Sequence, residues 1–169
     1  MEWFDRPGGE RVELRSSDPG WAVAADSWAA RIRTALTPMT ARVEHIGSTA
    51  VPGLVAKPVL DMQVAVPDVS DELSYRPALE ALGLVLRQRG PEHRFFRPAA
   101  GEPRTVHVHV CQEGSGWERD NLRFRDRLRA DPDLAAAYGA LKTQLARDHG
   151  HDRLAYNEGK SAFITAAIA

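Results

Sequence analysis

The stretch His45-Ile46-Gly47-Ser48-Thr49, followed by Lys57-Pro58-Val59-Leu60-Asp61-Met62-Gln63, holds the residue types best suited to chemistry. A strand running into Gly47-Ser48 can turn tightly, because glycine adopts backbone conformations closed to other residues. Backbone N–H groups, the Ser48 hydroxyl and neighbouring Thr49 can then face a phosphate. Asp61, on the following strand, can hold a hard divalent cation against the same phosphate. Phosphoryl and nucleotidyl transfer use that pairing of a polyphosphate cradle with a charge-neutralising metal. A Gly-Ser pair is also simply a turn. Asp61 is harder to dismiss, since it interrupts an apolar run and carboxylates are seldom buried without a cation or a metal. Its alternative is an ion pair with Lys57 or an arginine.

His107 and His109 stand two apart in the strand expected over 105–111, so both point to one face, with Val106, Val108 and Val110 on the other. Either histidine suits a metal ligand or a general base near neutral pH, and the pair equally suits a hydrogen-bonded or solvated face. Cys111 at the end of this strand reads as a buried, inert thiol. Arg94 and Arg97 lie on the preceding strand, and Arg125 and Arg129 form one row on a later helix. Guanidinium groups bind phosphate or carboxylate in bidentate fashion. Ion pairing on a solvated face with Glu118, Asp120 and Asp126 is the competing reading. Arginine outnumbers lysine 19 to 3, and the lysines are Lys57, Lys142 and Lys160.

These residues need elements to hold them. Apolar spacings of 3 and 4 predict a helix over 21–36, ended by Thr37-Pro38. Strands are expected over 41–46, 59–66, 84–89, 94–97 and 105–111. A short helix is expected between Pro77 and Leu82, with Ser70 as a candidate cap, Asp71 and Glu72 in its first turn and Gly83 as its stop. Three helices follow, over 117–130, from Pro132 to about Gly150, and over 157–168. Val12 and Leu14, between the turns Pro7-Gly8-Gly9 and Asp18-Pro19-Gly20, suit a short edge strand or an extended arm. The expected fold is therefore α/β or α+β: a mixed sheet flanked by helices, with a C-terminal helical segment. We expect one domain over 1–169, with an arm at 1–20, a sheet core at 21–115 and a helical part at 116–169.

At 169 residues, 43% hydrophobic and 27% charged, the composition is that of an ordinary globular domain. No apolar run approaches the roughly 20 residues of a membrane span, and the polar first twenty residues do not resemble a secretory signal. A net charge of −1 gives no overall field to recruit nucleic acid or an acidic membrane. A single cysteine excludes an internal disulfide and a cysteine-rich zinc site. A cytoplasmic location is the expectation.

The block from Glu44 to Asp61 resembles the signature of the GrpB-like family of the nucleotidyltransferase superfamily, with its hydrophobic-Gly-[Gly/Ser], a spacer, then [Asp/Glu]-x-[Asp/Glu]. The resemblance continues through His107 to Val110, Asn121 to Asp126 and Tyr156 to Ile164. It implies a nucleotidyltransferase fold with Gly47-Ser48 over a polyphosphate and carboxylate-held divalent metals, Mg²⁺ or Mn²⁺. It also implies a basic residue from the C-terminal helices on the phosphates, and Lys160, in the stretch from Tyr156, matches the family there. Lys142 is a further lysine on these helices, and Tyr156 suits stacking on or hydrogen bonding to a ligand, or simple packing. The sequence departs from that pattern. Gln63 stands where a second carboxylate belongs, and the later strand offers His107 and His109 in place of an acid. Histidine nitrogen suits Zn²⁺ or Mn²⁺ better than Mg²⁺. Asp61 with His109, joined by His45, is the expected altered metal site. The ligand set comprises Gly47, Ser48, Thr49, Lys57, Arg94, Arg125, Lys142, Tyr156 and Lys160. Three readings stay open. One is metal-dependent nucleotidyl transfer, or binding of a phosphorylated or anionic small molecule such as a nucleoside triphosphate. The second is a noncatalytic ligand- or partner-binding module. The third is the fold repurposed for histidine chemistry.

Overall fold

The computed structural model describes residues 2–4 and 11–169. In chain order the elements are β1 (Glu2–Trp3), α1 (Gly20–Leu36), β2 (Arg42–Ile46), β3 (Leu60–Val66), α2 (Arg76–Ala81), β4 (Leu84–Arg89), β5 (His93–Pro98), β6 (Val106–Gln112), α3 (Gly116–Ala130), α4 (Pro132–His149) and α5 (Arg153–Ile168). The strands form one mixed sheet in the order β1-β4-β5-β6-β3-β2. β3 and β6 run parallel, and the other neighbours are antiparallel.

Period-2 alternation gives this sheet two different faces. On one, Met62, Val64 and Val66 of β3 and Val106, Val108 and Val110 of β6 are buried against α1 and α2. α1 answers with Ala25, Ala29, Ile32 and Leu36, all on one helical face.

 The buried positions of that helix are thus Ala25, Ala29, Ile32 and Leu36, spaced 4, 3 and 4. The opposite face of the sheet carries Asp61, Gln63, His107 and His109, and α3, α4 and α5 lie over it. A second, smaller core joins Val51, Leu54, Leu128 and Tyr138, and it ties the loop after β2 to these three helices.

The helix ends follow capping chemistry. Ser115 accepts the Glu118 N–H, Asp131 the Leu134 N–H and Asp152 the Ala155 N–H. Asp152 starts α5 at Arg153, four residues before the expected start, because the cap lies in what reads as a polar loop. Ser70 does not cap α2: its N–H and hydroxyl both bond Asp68, and the helix begins at Arg76. Asp71 and Glu72 are consequently outside that helix, Glu72 in a separate helical turn, and Glu72 binds Arg89 and Arg94. Gly83, with φ +84°, ends the segment as expected.

The segment at Val12–Leu14 joins no sheet. Val12 is buried with its N–H on the Gly150 carbonyl, and Arg15 exchanges backbone hydrogen bonds with Ala56. The edge strand next to β4 is instead Glu2–Trp3. The expected turn at Pro7-Gly8-Gly9 lies outside the described residues. Among the described residues no helix is long and apolar enough to cross a membrane.

Candidate functional site

β2 ends at Ile46, directly across from Asp61 in the antiparallel ladder. Gly47 then turns the chain with φ +72° and ψ −172°, a combination reserved almost entirely for glycine. A Cβ built on Gly47 would lie 2.6 Å from Asp61 Oδ2, so the Asp61 carboxylate occupies the space that the missing side chain leaves. Ser48 to Ala50 form one tight helical turn, and the chain returns through Lys57 to β3.

The parallel register places Asp61 beside His107 and Gln63 beside His109. Asp61 Oδ1 lies 3.4 Å from His107 Nδ1 and 3.2 Å from His109 Nε2. Enclosure would raise the Asp61 carboxyl, but hydrogen bonds from both histidines outweigh it and hold the group well below the usual carboxylate range. Burial lowers His107, against the pull of Asp61, and so favours the neutral ring. His109 Nδ1 lies 2.9 Å from His93 Nε2. One donor atom from each of Asp61, His107 and His109 falls within 4.8 Å of the others, close enough to share one metal ion. To ligate through Nε2, His109 would carry its proton on Nδ1 and donate it to His93, a second-layer contact that orients the ring.

Over this cluster lies a cavity of about 400 Å³, within the range of small-molecule sites. All three lysines of the chain line it, although they come from positions 57, 142 and 160. Lys142, only 2% exposed, donates to Ser48 Oγ at 2.7 Å and to the Val55 carbonyl. Lys160 Nζ sits 4.5 Å from the Tyr156 ring centre and Lys57 Nζ 5.4 Å from it. Burial, with Lys160 and Lys57 nearby, pushes Lys142 down to about 7. Burial, with Lys57, pushes Lys160 down to about 8. Burial and Arg153 lower Lys57 as well. Among the described residues lining the cavity, Asp61 is the one carboxylate, while Arg97 and Arg153 add to the positive side.

The cavity thus brings together Gly47, Ser48, Thr49, Lys57, Asp61, His107, His109, Lys142, Tyr156 and Lys160. Three expected members stand elsewhere. His45 pairs with Met62 in the ladder, so it points to the face opposite Asp61, where its Nε2 bonds Thr49 Oγ1 at 2.8 Å. It therefore does not join the Asp61 cluster, where His107 lies instead. Arg94 also lies on the far face, bonded to Glu72 and the Gly90 carbonyl. Arg125 is held by Glu44, Asp126 and the His45 carbonyl, outside the cavity lining. Gln63 is 1% exposed and also outside the lining, so the second carboxylate position of the superfamily pattern is closed here. Cys111 is buried and its thiol is pushed up to about 12 by burial, which leaves it inert.

His93, Phe95 and Arg97 belong to the cavity and were legible as a pattern, because alternate residues of a strand share a face. Arg94 and Arg97, three apart, cannot both face the site. Tyr138 and Asn121 carry no comparable signal, since only the packing of α3 and α4 brings them to the cavity.

Comparison with known proteins places the site in a family context. The family model described as GrpB protein matches residues 11–169. A UPF0157 protein of Streptomyces coelicolor is 42% identical over 166 residues, covering 98% of this chain and 87% of that protein. The crystal structure of conserved protein GrpB from Enterococcus faecalis superposes with a TM-score of 0.82 at 32% identity, covering 92% of this chain and 94% of that one. The poly(U) polymerase Cid1 with Mg 3′-dATP bound shares the fold at a TM-score of 0.58 and 14% identity, over 86% of this chain and 49% of that one.

Proposed function

Since the chain belongs to the GrpB family and shares its fold with the poly(U) polymerase Cid1, we propose that its cavity binds a phosphorylated polyanion of the nucleoside triphosphate class together with one divalent cation. The observation that carries this reading is the convergence of all three lysines on a cavity with a single carboxylate among its described lining residues. Several cations enclosed together repel one another, and a polyanion relieves that repulsion. Ser48, on its tight turn, and Lys142 would contact the phosphates, with Lys57 and Lys160 neutralising charge from the other side.

Asp61, His107 and His109 fit a cation. One carboxylate oxygen and two neutral imidazole nitrogens suit Mn²⁺ or Zn²⁺ better than Mg²⁺. When bound, the cation would neutralise phosphate charge and polarise a phosphoryl oxygen. Nucleotidyl transfer is the reaction that the fold likeness to polymerases such as Cid1 favours. The buried Gln63 favours a second reading, in which the site binds its ligand without transferring it. Passage of a labelled nucleotidyl group to any acceptor eliminates that second reading. A cytoplasmic setting accords with either.

A thermal-shift series with nucleoside triphosphates and Mg²⁺, Mn²⁺ or Zn²⁺ tests the binding. Ligand at a hundred times its Kd adds about 2.7 kcal/mol to stability. The shift should need the cation and should disappear in Asp61→Ala. Absence of a shift with every pair, or a cation-dependent shift retained by Asp61→Ala, overturns the proposal.

A further inference from the structure

Ser48 and Lys142 form a pair that phosphate binding alone does not require. A serine that merely donates to a phosphate needs no base at its oxygen. Here Lys142 Nζ lies 2.7 Å from Ser48 Oγ, and its other partner is the Val55 carbonyl. Both partners are neutral oxygens, and the ammonium is almost fully buried. From this geometry we propose that Ser48 is a nucleophile toward activated phosphoryl groups, with Lys142 as its general base.

Lys142 Nζ donates to Ser48 Oγ, which also bonds Tyr138, and the same 2.7 Å separation suits the reverse donation once Lys142 is neutral. With Lys142 charged, two of its N–H groups donate to Ser48 and Val55. With Lys142 neutral, its lone pair accepts the Ser48 O–H while one N–H still donates to Val55. The Gly47 turn lifts Ser48 to the cavity wall at the end of a strand. In the step, Oγ bonds to phosphorus and the bond from phosphorus to the leaving oxygen breaks. The Ser48 proton passes to Lys142, which returns it to the leaving group. Serine–lysine pairs perform this exchange at acyl centres in unrelated folds. The groups facing Lys142 are Lys57 from the loop before β3, Asp61 from β3, Tyr138 from α4, and Lys160 and Tyr156 from α5. Burial and the two cations keep a neutral fraction of Lys142 near pH 7, and Asp61 opposes them.

The inference rests on reading the cavity as a phosphoryl-ligand site, and a fluorophosphonate probe tests it without nucleotide or metal. In that reaction the Oγ–P bond forms, the P–F bond breaks and fluoride leaves. Peptide mapping of the full chain should place the label on Ser48, and Ser48→Ala should abolish it. Lys142→Arg keeps the charge but removes the base, and should slow labelling about a hundredfold. Lys142→Met, checked for folding by its melting curve, should be equally slow. Lack of Ser48 labelling in the wild type overturns the proposal, as does labelling of folded Lys142→Arg at the wild-type rate. A polyphosphate thermal shift without labelling removes this inference and leaves the proposed function standing. Labelling without such a shift supports the nucleophile and removes the nucleotide.

Discussion

Alanine at position 47 places two separate demands on the protein. The first is on the backbone: φ +72° with ψ −172° is a region essentially confined to glycine, and holding another residue there costs about 1–3 kcal/mol. The second falls on Asp61. The new Cβ would stand 2.6 Å from its Oδ2 and 3.2 Å from its Cβ, so the side chain must swing away. That movement breaks the contacts from His107 and His109, at 3.4 and 3.2 Å. Hydrogen bonds to a charged group contribute about 1.5–3 kcal/mol each, and these long ones belong at or below the lower end. Together the terms predict a loss of about 3 kcal/mol, a large share of the 5–15 kcal/mol typical of a domain. Urea denaturation of wild type, Gly47→Ala, Asp61→Ala and the double variant separates the terms. Removing the Asp61 carboxylate removes the closest collision, at Oδ2, and leaves only the 3.2 Å contact with its Cβ, so the double variant should lose less than the sum by about 1 kcal/mol. Gly53→Ala is the control: its φ is +81°, but a Cβ there meets nothing within 4 Å, so only a backbone cost of about 1–2 kcal/mol applies. If Gly47→Ala is no worse than Gly53→Ala, or is strictly additive with Asp61→Ala, the packing of Asp61 against the turn is not the constraint described.

Four further expectations follow from the same geometry. Titration calorimetry should find polyphosphate affinity falling between pH 7 and pH 9, as Lys142 and Lys160, near 7 and 8, lose their protons. Without ligand, stability should rise with pH over that window, because both folded values lie below the unfolded 10.5 and the unfolded chain therefore holds more protons; denaturation at pH 7, 8 and 9 reads the slope. His107→Ala and His109→Ala should each weaken Mn²⁺ or Zn²⁺ binding at least tenfold by calorimetry, while His45→Ala, on the opposite face, should change it less than twofold. Arg94→Ala should cost about 2 kcal/mol of stability, since it strips a charged partner from Glu72, and should leave polyphosphate affinity intact.

Arg94 and His45 mark the boundary of what a linear reading can assign. Both are of the right type and lie near the right motif. Yet each points away from Asp61, because face is set by strand register and a displacement of one residue reverses it. Asp152 shows a different limit: a cap inside a polar loop is visible only once the helix it starts is known. The lysines show a third. Lys57, Lys142 and Lys160 are widely separated in the chain, and nothing local relates them. Only the folding of α4 and α5 over the sheet brings them into one cavity.

By itself, the sequence determined the features that depend on neighbours in the chain. Gly47 must turn where a side chain cannot, and alternate residues must share a strand face. His107 and His109 therefore point together, away from the apolar valines. The family pattern added the order of these pieces. Tertiary structure alone decided that His107 rather than His45 meets Asp61, that Arg94 and Arg125 are occupied elsewhere, and that Lys142 reaches Ser48. Those contacts join residues remote in the chain, and their distances are set by strand order and helix packing, which local propensity does not encode.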